Sequence, residues 1–152
     1  TQYSLVGNYQ KGGPARTILE FPVTGQAESA ELCVYYYNKI YSGNAYDVIA
    51  DYYRGDGLVN RSDFDSGTLL GTLYTAYSPY GEYCVNVTEG YNNATSFLGL
   101  RLHWNTTNEQ EGGATGHQNY WYTYQAETNK KPYLKIHNQN TTTVPTTTTT
   151  MP

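Results

Sequence analysis

Apolar and polar positions alternate along most of this chain, and the alternation predicts β-strands rather than helices. Helical periodicity, in which apolar residues recur at every third or fourth position, is nearly absent. Stretches rich in β-branched and aromatic residues are bounded by Gly, Pro, Asn and Ser turn signals, and they cover residues 1–10, 16–23, 29–42, 45–53, 68–77, 81–89, 96–105, 120–126 and 132–138. Residues 54–67 are interpreted as a polar loop and residues 91–95 as a single helical turn. Short strands at intervals of roughly ten residues predict an all-β fold, a two-sheet jelly-roll-like β-sandwich.

The composition changes abruptly at Gln139, where a Thr/Pro-rich tail without any hydrophobic pattern begins. Such a composition is typical of stiff, O-glycosylated linkers. We therefore expect a β-sandwich domain over 1–138, whose residues 1–10 form an edge strand or a strand exchanged with a neighbouring copy, and a linker or tail over 139–152. O-glycosylation is predicted at Thr146, Thr147, Thr148, Thr149 and Thr150.

Size and charge narrow the class of protein. A chain of 152 residues and 17.1 kDa fits one domain. Its net charge of −4 provides no basic surface, which argues against a nucleic-acid partner. No apolar run approaches the roughly 20 residues that a membrane-spanning helix needs, so membrane insertion is not expected.

The two cysteines, Cys33 and Cys84, are compatible with one disulfide or with two inert free thiols. In both segments the cysteine alternates with leucine or valine neighbours, so both thiols are expected on the side of a sheet that faces away from the core. Two adjacent strands could then bridge them. We predict the disulfide, which points to an oxidising compartment.

Asn-x-Ser/Thr sequons indicate N-glycosylation and therefore secretion. They occur at Asn60, Asn86, Asn93, Asn105 and Asn140. The sequence starts at Thr1 without an initiator Met, as expected of a mature chain whose signal peptide has been removed. Together with the cysteine pair, these features predict an extracellular, cell-surface location.

Three segments, in order, resemble DNRLRE-type domains, which include the disaggregatase-related surface modules of methanogenic archaea. They are RTILEF followed by AELCVYYY, then GEYCVNVTEGY, and last FLGLRL followed by YTYQAETNKKPYLKIH, so the resemblance spans Arg16 to His137. The chain departs from the family in its excess of tyrosine, its cysteine pair, and its lack of a Trp-x-Asp/Asn segment. The resemblance implies a non-catalytic jelly-roll module on an archaeal or bacterial surface protein, with a structural, adhesive or carbohydrate-binding role.

One loop contains oxygen donors of the kind that calcium prefers. Asp56, Asn60, Asp63 and Asp65 lie close together in sequence, and calcium takes six to eight oxygens from such loops. The spacing does not match an EF-hand, and the same composition is common in solvated loops. A structural calcium is the only candidate cofactor, and otherwise none is expected.

The remaining chemical motifs do not suggest an enzyme. Arg54 to Asp56 spell Arg-Gly-Asp, for which a polar turn is the favoured interpretation. His103, His117 and His137 are isolated from one another and favour surface or hydrogen-bonding roles over a metal site. No serine lies in a G-x-S-x-G motif, so hydrolase-type nucleophilic catalysis has no support.

Aromatic residues on predicted strands are the strongest functional signal. Consecutive aromatics place some rings on each face of a strand, so several of the 18 tyrosines are expected to face outward. Exposed rings with polar tips stack on sugars or bury against another subunit, or they merely cover the sheet. The predicted interface or sugar-stacking aromatics are Tyr35, Tyr37, Trp104, Tyr120 and Trp121.

Two functions of different classes follow. The first is a self-assembling structural subunit of a surface layer, sheath or filament, whose partners are copies of itself and covalent glycans. The second is a carbohydrate-binding module that contacts a polysaccharide and is tethered through the Thr-rich linker.

Overall fold

The computed structural model describes residues 3–9, 13–40, 46–65, 67–75, 78–105, 118–122 and 130–138. These residues form mostly β-strands, together with a short α-helix and a turn of 3-10 helix. The strands are β1 (Tyr3–Tyr9), β2 (Gly13–Ala15), β3 (Thr17–Pro22), β4 (Ala27–Ile40), β5 (Val48–Gly55), β6 (Thr68–Tyr74), β7 (Gly81–Asn86), β8 (Phe97–Trp104), β9 (Gln118–Tyr122) and β10 (Tyr133–Asn138). The 3-10 turn is Arg61–Phe64, and helix α1 is Thr88–Asn93.

The strands form two antiparallel sheets, which confirms the predicted β-sandwich. The first sheet, sheet A, has the order β10-β4-β9-β1-β2, and β7 pairs with β4 off this path. The second sheet, sheet B, has the order β3-β8-β5-β6. The predicted helical turn overlaps α1, and Gly13 and Pro14 lie within the short strand β2, which pairs back onto β1. The predicted Thr/Pro-rich tail lies outside the described residues.

The core lies between the inner faces of the two sheets and follows the alternation of apolar residues. On β8, every second side chain from Leu98 to Trp104 is essentially inaccessible to solvent. On β4, the same alternation buries Leu32, Val34 and Tyr36. Fully burying a large apolar side chain contributes roughly 1.5–3 kcal/mol, so these two strands supply much of the stabilisation of the fold.

Strand β4 is long enough to pair with several partners, and its register shows how they are arranged. Cys33 pairs with both β10 and β7, so these two strands flank β4 on opposite edges. Tyr36 pairs with both β7 and β9, which places β9 on the same edge as β10. Both β9 and β10 run antiparallel to β4. They therefore lie end to end along one edge of β4, like two halves of a single interrupted strand.

Candidate functional site

A buried ion pair with a histidine lies on the outer face of sheet B. Asp51 on β5 pairs in register with Arg101 on β8, and the side chains of both are less than a tenth exposed. Arg101 Nη2 donates to Asp51 Oδ2, and Nε2 of His103 lies 2.9 Å from the same oxygen. The other ring nitrogen of His103, Nδ1, lies 2.9 Å from the carbonyl oxygen of Trp104. Both ring nitrogens thus face oxygen acceptors, which fits the hydrogen-bonding role predicted for His103.

The ionised form of Asp51 is stabilised by these neighbours. Burial by itself would raise the pKa of Asp51, but the hydrogen bonds and positive charges of His103 and Arg101 outweigh it and lower the pKa below its usual value of 3.8. The carboxylate is therefore charged at neutral pH, and it joins β5 to β8 across the outer face of the sheet.

The loop after β5 folds back over this cluster. Arg16 and Arg101 both donate to the carbonyl oxygen of Phe64, at the end of the 3-10 turn. The guanidinium of Arg16 also lies 4.6 Å from the centre of the Phe64 ring and 3.3 Å from Asp65. The two arginines therefore hold the loop against sheet B through a carbonyl group, a cation–π contact and an ion pair.

The oxygens predicted to bind calcium are used by the loop itself. The carboxylate of Asp63 accepts a hydrogen bond from the backbone N–H of Asn60, and the side-chain oxygen of Asn60 accepts one from the backbone N–H of Ser62. Asn60 and Asp63 thereby form a capping box at the start of the 3-10 turn. Asp56 accepts from the backbone N–H of Leu58, two residues on. Among the described residues, no group of three or more His, Cys, Asp or Glu is placed to hold a metal ion. The calcium site therefore stays an untested prediction.

Glu20 and Tyr53 form a second polar contact beneath the same loop. The Tyr53 hydroxyl donates to Glu20 Oε1 at 3.0 Å, and Gly57 donates its backbone N–H to Oε2 at 2.6 Å. The Tyr53 ring covers Gly99 on β8, where an added Cβ would come within 2.3 Å of the ring. Gly57 has a φ of +88°, a conformation that glycine adopts without strain. Gly99 and Gly57 thus allow the ring and the loop to approach the sheet closely.

Tyr53→Phe should reduce the alkaline sensitivity of the protein. Burial, followed by the hydrogen bond and charge of Glu20, raises the pKa of Tyr53 far above its usual 10. The native state then keeps the phenol proton, while the unfolded chain loses it above about pH 10. The stabilisation is present below pH 10 and declines as pH rises, by up to about 1.4 kcal/mol per pH unit.

Urea denaturation between pH 9 and 11 tests this expectation. Tyr53→Phe should show a shallower loss of unfolding free energy than the wild type, whereas the control Tyr80→Phe, at a tyrosine that is 54% exposed, should follow the wild type. If the unfolding free energy fell equally steeply with pH in all three proteins, the raised pKa could not be assigned to Tyr53.

The disulfide crosses the outer face of sheet A. Cys33 on β4 and Cys84 on β7 are directly opposite each other, with their Cα atoms 4.1 Å apart, and their sulfur atoms are bonded. This confirms the disulfide and the outward direction of both cysteines. Tyr133 on β10 is the register partner of Cys33 on β4. Its hydroxyl group donates a hydrogen bond to Oε1 of Glu82 on β7, at 3.1 Å. The Tyr133 side chain therefore reaches across β4, which is consistent with the complete burial of Cys33.

The prediction that Trp104 faces outward is wrong. Trp104 is 1% exposed and packs against Tyr46, with ring centres 5.2 Å apart. The reason is the alternation of β8, because Trp104 continues the inward series that starts at Leu98. Tyr35 does alternate away from the core, but it is half-buried, and Nζ of Lys130 lies 5.5 Å from its ring centre.

The side chains of the other three predicted aromatics, Tyr37, Tyr120 and Trp121, fall outside the described part of the structure. Tyr37 lies where the register of β4 shifts against β9, and the backbones of Tyr120 and Trp121 belong to β9. Their role at an interface or on a sugar stays a prediction.

The described sequons are all at exposed positions. Asn60, Asn86, Asn93 and Asn105 are exposed, whereas Asn140 and Thr146–Thr150 lie outside the described residues. Asn86 also lines a surface cleft of about 360 Å³ between β6, β7 and α1. The geometry therefore leaves room for glycans, and their presence stays a prediction.

The remaining sequence motifs are placed as follows. Arg54 and Gly55 end strand β5, so the predicted turn at Arg-Gly-Asp is wrong for these two residues, and only Asp56 belongs to the loop. Gly55 lies in the sheet because it pairs with Phe97 of β8. His137 is exposed on β10, and His117 lies outside the described residues.

The free edge of β10 is the clearest feature open to a partner. One edge of β10 pairs with β4 in regular register from Tyr133 to His137, and in the part of the chain that the structure describes its other edge has no partner strand. Tyr133 and Ile136 are 41% and 38% exposed. Lys135 is the strand's charged residue, and it lies 3.8 Å from Glu31 in an exposed ion pair worth little.

Comparisons with known proteins do not assign this chain to a family. No protein-family model matches it, and no curated protein is significantly similar to it in sequence. The resemblance to DNRLRE-type domains thus stays a prediction. Within the described residues, no helix has the length and apolar character needed to cross a bilayer.

Proposed function

We propose that this chain is a non-catalytic extracellular glycoprotein module that assembles with copies of itself into a cell-surface layer, sheath or filament. The observation that carries the proposal is that, among the described residues, no strand pairs with the outer edge of β10. An exposed edge strand presents backbone N–H and C=O groups that readily pair with another chain, and most proteins block such edges. Strand β10 carries exposed Tyr133 and Ile136 together with one charged residue, Lys135, which is paired with Glu31.

The other described edges have features that discourage pairing. Strand β2 is only three residues long, and β3 ends in Pro22. The pairing of β6 with β5 has two register shifts, and such irregularities twist an edge strand away from a partner. Strand β7 carries the exposed sequon residue Asn86. Strand β10 differs from β6 in its regular pairing and from β3 in the absence of proline. Strand β7 pairs with β4 as regularly as β10 does and differs from it in carrying the sequon.

Strand addition at β10 would favour an open polymer. If β10 accepts a segment from elsewhere on a neighbouring copy, the two contacting surfaces differ, so each subunit has one donor and one acceptor. Such a head-to-tail contact extends indefinitely unless its rotation closes a ring. The low fraction of charged residues, 14%, limits electrostatic repulsion between the subunits.

The extracellular location is supported by two observations. A disulfide joins Cys33 to Cys84, and disulfides persist mainly in oxidising compartments. The described sequon asparagines are exposed, as glycan attachment requires. Glycans on these residues would protect the outside of an assembly and leave β10 accessible.

Ile136→Lys should strongly weaken assembly of the full chain. A charged side chain on an edge strand is a common natural device against strand addition, because pairing would desolvate the ammonium group. We expect the concentration needed for assembly to rise at least about a hundredfold. Size exclusion and electron microscopy of the glycosylated protein would measure the effect.

Leu69→Lys is the matched control, because Leu69 is also an exposed apolar residue on an edge strand, at 60%, but lies on the irregular strand β6. It should assemble like the wild type, and thermal melts should show that both variants fold. A wild-type chain that stays monomeric at high concentration would contradict the proposed function. A monomer that instead binds on a glycan array would favour the carbohydrate-binding alternative, which has lost Trp104 as a stacking residue because that ring is buried.

A further inference from the structure

No strand among the described residues occupies the outer edge of β10, and that position continues the line of β1. Strand β1 pairs with β9, and β9 and β10 lie end to end along β4, so a strand added to β10 would be collinear with β1. At one end the described part of β1 bounds this space, because Tyr3, its first residue, pairs with Tyr122, the last residue of β9. At the other end the register of β10 with β4 shifts after His137. The space therefore suits a strand of about five residues, opposite Tyr133–His137.

The tail contains a segment of matching length and composition. Residues 140–144 read Asn-Thr-Thr-Thr-Val, and the four β-branched residues among them favour extended backbone. Pro145 favours an extended conformation at Val144 and ends any strand, since it has no N–H to donate. No Asp, Glu, Lys or Arg occurs from Gln139 to the end of the sequence, so pairing would bury no tail charge.

The segment is poorly placed to pair with β10 of its own chain. Only Gln139 and Asn140 would connect Asn138, the end of β10, to Thr141. Two-residue hairpin loops require positive φ at one or both central positions, which is why Gly and Asn dominate them and Gln is not favoured. A loop of four residues would leave only Thr143 and Val144 before the proline. Pairing within the chain is therefore strained or too short.

The amino-terminal strand is a weaker donor. Strand β1 already pairs with β9 from Tyr3 to Gly7 and with β2 from Gly7 to Tyr9, so both of its ends are held in its own sheet. Donating it to a neighbour would break both sets of pairings. The predicted exchange of residues 1–10 stays untested, but it is not needed to fill the space beside β10.

We propose that residues 140–144 of one copy add to the free edge of β10 of the next copy, antiparallel to β10 and in line with β1. This inference rests on the proposed function, because it names the donor for the edge through which the subunits assemble. The tail is then the link between successive subunits, and the polymer repeat is set by its length. Partner recognition comes from backbone hydrogen bonds, with alternate tail side chains facing each side of sheet A.

Thr143→Pro in the full chain tests the donor directly. Proline removes a backbone N–H from the middle of the segment and leaves both the sandwich and the sequon at Asn140 intact. We expect assembly to require at least about a tenfold higher concentration, as the loss of one or two ladder hydrogen bonds implies. The matched control is Thr148→Pro, beyond Pro145, which should assemble like the wild type.

A synthetic peptide of residues 139–146 provides a second measurement. Added in excess to the wild-type chain, it should occupy β10 and shorten the polymers, whereas the same peptide with Thr143→Pro should not. If the wild type polymerises and Thr143→Pro polymerises equally well, or if the peptide has no effect, the tail is not the donor, although the proposed function stands. Equal loss of assembly in both proline variants would also overturn the assignment to residues 140–144. If the wild type never polymerises, the proposed function fails and this inference fails with it.

Discussion

Replacing both cysteines, Cys33→Ala together with Cys84→Ala, should lower the free energy of unfolding by about 4 kcal/mol. The bond closes a loop between residues separated by 51 positions, and the expected loss follows from the conformational freedom that the unfolded chain regains. Because single domains are typically stable by about 5–15 kcal/mol, this change alone would remove a large part of the stability. Urea denaturation of the oxidised wild type and the double variant would measure it.

Reduction of the wild type separates the effect of the link from the effect of the smaller side chains. Reduced and alkylated protein keeps both sulfur atoms but loses the covalent bond, so it should be destabilised to a similar extent as the double variant. A reduced protein as stable as the oxidised one would contradict the prediction. Strand β7 pairs with β4 at one edge of sheet A, so we expect its amide protons to exchange fastest after reduction.

Asp51→Ala should cost about 3–5 kcal/mol, because it leaves the buried Arg101 guanidinium without its carboxylate. The matched control is Asp65→Ala, which breaks the pair with Arg16. Asp65 is 80% exposed, and an exposed pair contributes only about 0–1 kcal/mol. A difference in unfolding free energy between the two alanine variants of less than about 1 kcal/mol would contradict the prediction that the buried pair is worth more than the exposed one.

A second substitution shows whether the cost comes from the uncompensated charge. Asp51→Ala combined with Arg101→Met removes the buried charges of both partners and keeps an apolar side chain on β8, so it should recover much of the loss. The sign of the pH effect follows from the lowered pKa of Asp51. The stabilisation that the charged Asp51 carboxylate provides is present above about pH 4 and is lost as the pH falls through its native-state pKa. The unfolding free energies of the wild type and Asp51→Ala should therefore converge in acid.

The candidate site was only partly predictable from local sequence. The alternation of cysteine with leucine and valine was sufficient to place Cys33 and Cys84 on the same outer face. The same rule, applied from Leu98 along β8, would have placed Trp104 inside and Arg101 outside. The association of Arg101 with Asp51 carried no local signal, because 50 residues separate them and only the pairing of β5 with β8 brings them together.

What the sequence determined by itself is the strand content, the breaks between strands and the inner and outer positions on most of them. These follow from period-two alternation and turn residues, which act over a few neighbouring positions. The tertiary structure decided that β9 and β10 share one edge of β4, that the 56–65 loop covers sheet B, and that no other described strand pairs with β10. Those features depend on which strands pair and in what register. Strand pairing and register are determined by packing and hydrogen bonds between segments that are distant in sequence, so they cannot be predicted from a local pattern.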